Sequence, residues 1–331
     1  LPPTPMVTPI STAAPPIIPF TDGTTTQPFT LYWRDGDVIR SLRSEGQEEP
    51  SIFLEPVKEF GLYLPPEGTD IQFRSWGATS PDGQMLALVL TEKADPEVSD
   101  DAPYPAHIYL FDMERRTLRP LAKNGIEPIW SPDGERLAYV STETFGLWIA
   151  DVNNGETREV YAVDRANEHS IAPSGVTWSP DNHHLAIVDQ VINQSTALVL
   201  IDTEQDEPPR ALIKETPYLL GRPQWSPISD LIAFMWSAGE GGRGSHLWII
   251  QPNGGEQKQL TNNVSGRGGL PLWASNGEWV AFSGQIQYEE TSNNSDLWLI
   301  SPSKHMFKRL TNSQTNSSAP GSAVSALMPL W

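Results

Sequence analysis

From Phe29 onward the chain is built of short apolar runs separated by turn-forming residues, a pattern that predicts strands. The unit reads best from residue 125 to 163. Glu127-Pro128-Ile129-Trp130 ends one strand, Ser131-Pro132-Asp133-Gly134 reverses the chain, and Arg136-Leu137-Ala138-Tyr139-Val140 runs back. Leu147-Trp148-Ile149-Ala150-Asp151 follows, then a turn at Asn153-Asn154-Gly155 and a fourth strand at Thr157-Arg158-Glu159-Val160-Tyr161. Turn chemistry explains this spelling: proline presets φ at the second turn position, aspartate suits the third, and glycine tolerates positive φ.

Copies of this stretch recur. Trp178-Ser179-Pro180-Asp181, Trp225-Ser226-Pro227 and Trp273-Ala274-Ser275-Asn276-Gly277 carry it, as does Ser80-Pro81-Asp82-Gly83 with Thr79 in place of the tryptophan. Trp130, Trp178, Trp225 and Trp273 stand 48, 47 and 48 residues apart, which marks a repeat architecture. The third strand recurs as His107–Asp112, Leu198–Asp202, Leu247–Ile250 and Leu297–Ile300, mostly apolar on both faces, as expected of a sheet stacked between two others. Four-stranded units of this length predict an all-β, six-bladed β-propeller with antiparallel blades.

The expected blades run over about residues 70–122, 125–163, 173–214, 220–262 and 269–312, with a three-stranded first blade at 29–57. That first blade contains a hairpin signal, Asp35-Gly36 between apolar runs. The chain stops at Met328-Pro329-Leu330-Trp331, one more first strand, so residues 323–331 are expected to complete blade one and close the ring. The repeat tryptophans, Trp331 included, are expected in the core.

With its Trp-Ser-Pro-Asp-Gly turns and Leu-Trp-Ile strands, the chain resembles the TolB-like β-propeller repeat family over about residues 70–331. Thr79, Asn182 and Ile228-Ser229 depart from the pattern. The resemblance implies the propeller fold. It does not carry over a role in the Tol-Pal envelope system, nor the separate N-terminal α/β domain of TolB itself.

Composition adds an N-terminal arm and a charge. Residues 1–28 hold Pro2, Pro3, Pro5, Pro9, Pro15, Pro16, Pro19 and Pro28 among many threonines, which predicts extended polyproline-like chain. Such a segment suits a stalk between a secretion signal and an extracytoplasmic domain, whether secreted, surface or periplasmic. Ile10, Ile17, Ile18 and Phe20 are apolar for a linker, so the arm is expected to dock on a neighbouring copy of the chain and build a homo-oligomer or filament. Lys and Arg number 22 against 41 Asp and Glu, and the net charge of −19 argues against nucleic acid or an anionic membrane as partner. There is no cysteine, and no apolar run reaches the length of a spanning helix.

Long loops are expected on one rim and tight turns on the other, and long loops on a rigid scaffold are where binding concentrates. Candidate interaction residues there are Asp95, Asp100 and Asp101 of blade two, Arg222, Arg243 and Arg267 of blades five and six, and Trp236 as a stacking residue. Histidine spacing matches no metal motif, and neither a nucleophile elbow nor a phosphate loop is present, so no catalytic residue, metal or cofactor is expected. The leading expectation is a non-catalytic protein-interaction scaffold. A monomeric TolB-like module for an envelope protein or glycan is the alternative, with a propeller enzyme lacking local motifs behind it.

Overall fold

The computed structural model describes residues 30–43, 49–65, 77–92, 106–163, 171–191, 195–205, 207–216, 221–236, 246–261, 264–265, 271–286, 296–304 and 306–310. Its strands form six antiparallel sheets in chain order, a six-bladed β-propeller. Among the described residues blade 1 has three strands: Thr30–Asp35, Val38–Arg43 and Ser51–Leu54. Blade 2 comprises Gly77–Thr79, Met85–Thr91, Ala106–Asp112 and Thr117–Ala122. Gly125–Trp130, Arg136–Ser141, Leu147–Asp151 and Thr157–Tyr161 make blade 3. Blade 4 follows with Ile171–Trp178, His184–Val191, Ser195–Asp202 and Arg210–Thr216.

In blades 5 and 6 the first strands shorten to two residues. Gln224–Trp225, Ile232–Trp236, His246–Ile250 and Lys258–Gln259 form the former. Leu272–Trp273, Val280–Ile286, Asp296–Ser301 and Met306–Arg309 form the latter. Blade 6 gains a two-residue strand, Val264–Ser265, paired to Ile286 and Gln285 inside what the sequence suggested was a plain loop. A short helix, Pro56–Phe60, follows blade 1 and ends on Gly61 at φ 69°, a left-handed conformation that glycine adopts without strain. The arm and residues 323–331, expected from sequence to complete blade 1, lie outside the described residues.

Blades successive in the chain, from blade 1 to blade 6, share an apolar layer at each boundary, and the repeat tryptophans sit in those layers. Trp130, Trp178, Trp225 and Trp273 are all buried. Three of them also reach across the blade boundary with the indole N–H. Trp130 donates to the Ala78 carbonyl at 2.8 Å, Trp178 to Ile129 at 3.1 Å and Trp273 to Gln224 at 3.0 Å. Each acceptor directly precedes the repeat position in the previous blade. At the blade 4 and 5 boundary the backbone N–H of Trp225 donates to Thr177 Oγ1 at 3.1 Å instead, and the Trp225 indole nitrogen is buried without a partner.

A second staple lies on the outer strands. Arg119 donates to the carbonyl of Val152 in the next blade at 2.6 Å, and Arg158 and Arg210 do the same to Thr203 and Pro252.

The Ser-Pro-Asp-Gly turns close on themselves. The Ser80 hydroxyl donates to Asp82 Oδ1 at 2.6 Å and accepts the N–H of Met85 at 2.9 Å, while Asp82 Oδ1 accepts the N–H of Gln84 at 3.0 Å. Ser131 and Asp133 repeat this arrangement in blade 3. The Ser80 hydroxyl first, and then the Gln84 amide, hold the Asp82 carboxyl below the usual range.

Two outcomes are expected. Trp273→Phe removes a satisfied donor and leaves the Gln224 carbonyl short of a partner, costing about 1–2 kcal/mol in urea denaturation, whereas Trp225→Phe removes an unpartnered donor and costs less. Because the folded carboxyl of Asp82 is depressed, its stabilisation is complete above the unfolded carboxylate value of about 4 and is lost as pH falls below it. Melting temperature against pH is expected to show a shallower acid limb in Ser80→Ala than in the unaltered chain.

Candidate functional site

Strand direction places the starts of the first strands on the rim that also carries the connections between second and third strands. There, three residues before the repeat tryptophan, blades 3, 4 and 5 carry Glu127, Gly175 and Arg222. The pairing of blade 3's first strand jumps between Ile126 and Ile129, which leaves Glu127 in a bulge at φ 53°. Blade 4 breaks register between Ser174 and Thr177, with Gly175 at φ 62°. Bulges of this kind re-aim a side chain out of the ladder, and a non-glycine residue at positive φ stores backbone strain.

The consequence is a bridge between blades that are not neighbours. A Cβ placed on Gly175 would lie 2.6 Å from Arg222 Cα and 2.7 Å from its Cβ and Cγ, so Arg222 rests directly on the glycine backbone. Passing over it, the guanidinium reaches Glu127, with Nη2 at 3.4 Å from Oε1. Both side chains are largely withdrawn from water, at 17% and 12% exposure. Well-formed charge-assisted bonds run at about 2.7–2.9 Å, so this contact is long. Such a pair contributes little net stability.

Two further polar links lie on the same rim. Between blades 3 and 4 the Tyr161 hydroxyl donates to Asp189 Oδ2 at 2.8 Å. Burial first, and then this carboxylate, push the phenol well above its ordinary value, so it stays protonated. Between blades 2 and 3 the Asn124 N–H donates to His107 Nδ1 at 3.0 Å, and Asn124 Nδ2 donates to Glu143 at 3.1 Å. Accepting at Nδ1 places the proton of the neutral imidazole on Nε2.

Of the residues singled out from sequence, Arg222 and Trp236 are among those described. Arg222 joins the rim as above. Trp236 pairs with His246 and packs half-buried against the Trp248 ring at 5.0 Å and Phe234 at 6.5 Å, so it is part of an aromatic cluster and not a free stacking platform. Asp95, Asp100, Asp101, Arg243 and Arg267, with Ile10, Ile17, Ile18 and Phe20 of the arm, lie outside the described residues. Glu127 and Gly175 escaped the sequence reading, although their shared repeat position with Arg222 was visible. Among the described residues no three His, Asp or Glu side chains gather to hold a metal ion.

Residues 141–326, more than half of the chain, match the family model described as the dipeptidyl peptidase IV (DPP IV) N-terminal region. The chain belongs to this family. This member of the DPP IV N-terminal region family is 24% identical over 216 residues to the uncharacterized peptidase YuxL of Bacillus subtilis (strain 168), covering 53% of the chain and 32% of the relative. It thus spans about a third of that relative's length. Among solved structures, the oligogalacturonate lyase of Vibrio parahaemolyticus superposes with a TM-score of 0.56 at 14% identity, covering 86% of this chain and 72% of that one. TolB from Acinetobacter baumannii gives 0.54 at 17%, covering 83% and 60%. At these identities the likeness is one of fold, so the TolB resemblance holds for the propeller.

The expectation of a non-catalytic chain is corrected by these relatives. The family takes its description from a peptidase, the Bacillus relative is named a peptidase, and the lyase structure is also an enzyme. Sequence motifs were a poor guide because a propeller draws its polar groups from separate blades, which leaves no contiguous signature.

Gly175→Ala is expected to destabilise the chain well beyond Gly155→Ala. Both glycines sit at positive φ, but nothing lies within 4 Å of a Cβ on Gly155, so that variant isolates a conformational cost of about 1 kcal/mol while Gly175→Ala adds the clash with Arg222. Paired urea denaturation curves measure the difference.

Proposed function

We propose that the chain is the substrate-admitting propeller of a peptidase-class protein, and that the rim at Glu127 and Arg222 takes hold of a peptide. The observation that carries this is the charged bridge from blade 3 to blade 5, supported by membership of the DPP IV N-terminal region family. A peptide with free ends brings an ammonium and a carboxylate, the two groups that complement Glu127 and Arg222 once their long mutual contact opens. Binding and orientation are assigned to these residues. No bond-breaking step is assigned to them. The acidic surface disfavours phosphate-rich ligands, and the likeness to TolB supports an extracytoplasmic setting. The arm, residues 1–28, is proposed to dock on a neighbouring copy through Ile10, Ile17, Ile18 and Phe20, a reading that rests on composition.

Isothermal titration with short arginine-free peptides tests the rim. Uncapped peptides are expected to bind, with Glu127→Gln and Arg222→Ala each weakening them about tenfold or more, since a hydrogen bond to a charged group contributes about 1.5–3 kcal/mol. Equal binding of peptides capped at both ends, or unchanged binding by folded variants, would overturn the reading. For the arm, deletion of residues 1–20 is expected to lower the assembly size seen by light scattering. An unaltered size would refute the docking.

A further inference from the structure

One position of the repeat acts as a lid over the tryptophan of the following blade. It opens or directly precedes the second strand, five residues after the turn serine, and is occupied by Met85, Arg136, His184 and Leu231 in blades 2 to 5. At the boundary of blades 3 and 4, Arg136 stacks its guanidinium over Trp178 at 5.2 Å, donates to the Asn182 carbonyl at 2.7 Å and pairs with Glu204 at 2.6 Å. His184 covers Trp225 with ring centroids 6.4 Å apart. Leu231 packs in the apolar layer that contains Trp273.

Between blades 2 and 3 the lid is Met85, and there the surface opens into a groove of about 360 Å³. Two of its walls are those that hold Arg136 one boundary further on: Trp130 stands for Trp178 and Gly134 for Asn182. Glu204 has Asn153 as its counterpart, outside the groove, and the carboxylates at the groove are instead those of Asp82 and Asp133. In both aspartates Oδ1 is occupied by the turn serine and a backbone amide. Oδ2 of each accepts no hydrogen bond among the described residues, and both carboxylates are exposed at the groove.

We propose that this groove docks an arginine side chain presented by a partner protein. The chain supplies the precedent, because Arg136 fills the homologous slot with an aromatic face beneath it and oxygen acceptors around it. A planar guanidinium both stacks on the Trp130 ring and forks towards two carboxylates, whereas a lysine ammonium does only part of this. Met85, unbranched and adaptable, yields to such a guest more readily than a rigid lid. The high negative charge of the chain steers a basic segment towards it. This site is on the tight-turn rim and is independent of the opposite rim at Glu127 and Arg222.

Titration calorimetry at low ionic strength decides it, using acetyl-Gly-Arg-Gly-amide with its Lys and Gln counterparts. The arginine peptide is expected to bind most tightly, the lysine peptide more weakly and the glutamine peptide not measurably. Met85→Arg, which fills the slot from within, is expected to weaken the arginine peptide by about tenfold or more. Equal binding of the arginine and glutamine peptides to the unaltered chain overturns the proposal whether or not the variant folds. So does undiminished binding by folded Met85→Arg. These peptides are capped at both ends and those for the rim at Glu127 and Arg222 contain no arginine, so either reading can fail without the other.

Discussion

The hydrogen bond from a tryptophan of one blade to a main-chain carbonyl of the blade before it sets the geometry on which the molecule depends. A blade here is apolar on both faces and has no stable existence as an isolated sheet. Area burial would press neighbours together at many angles, being non-directional. The indole adds direction: Trp130, Trp178 and Trp273 each fix the inner strand of their own blade to the inner strand of the preceding one. In blades 5 and 6 that strand has only two ladder residues, so the link across blades holds what the ladder within the blade does not.

With the inner strands fixed, the residues just before the tryptophans gain a defined relation to one another on one rim. Glu127 and Arg222 meet only because two conditions hold together. The bulge in blade 3 turns Glu127 out of the ladder, and blade 4 offers Gly175 where any side chain would collide with Arg222. A rigid ring makes such a bridge over an intervening blade possible. It also places two charges in a poorly hydrated position whose net effect on stability is small, a poor arrangement for holding a fold and a suitable one for meeting a charged ligand.

Much of this architecture could be read from the chain. The tryptophan spacing set the repeat period, the Ser80 turn unit and the 29–57 hairpin unit brought the blades to six, the Ser-Pro-Asp-Gly turns marked strand boundaries, and apolar third strands such as Leu198–Asp202 implied cover on both faces. What the sequence hid was non-local. The Arg119, Arg158 and Arg210 staples look like ordinary surface arginines until the next blade's carbonyl is placed beside them. Glu127 read as the end of a strand, because a bulge depends on the register of its partner and has no spelling of its own. The family's link to peptidases was equally invisible, since no one blade contains a motif for it.

Function in a repeat protein is therefore sought where a copy departs from its neighbours, and the lid position illustrates why. Arg136, His184 and Leu231 cover successive boundaries by a cation over a ring, by a tilted ring contact and by apolar packing, so the fold tolerates any of them. Tolerance means that the repeat does not dictate the residue. At Met85 the same position packs on the layer that contains Trp130 and yet leaves a groove beside it, a gap that stability does not require because other boundaries are filled more fully. The same reasoning applies to Gly175: a glycine in the inner strand weakens the ladder it belongs to, and what it gives in return is room for Arg222.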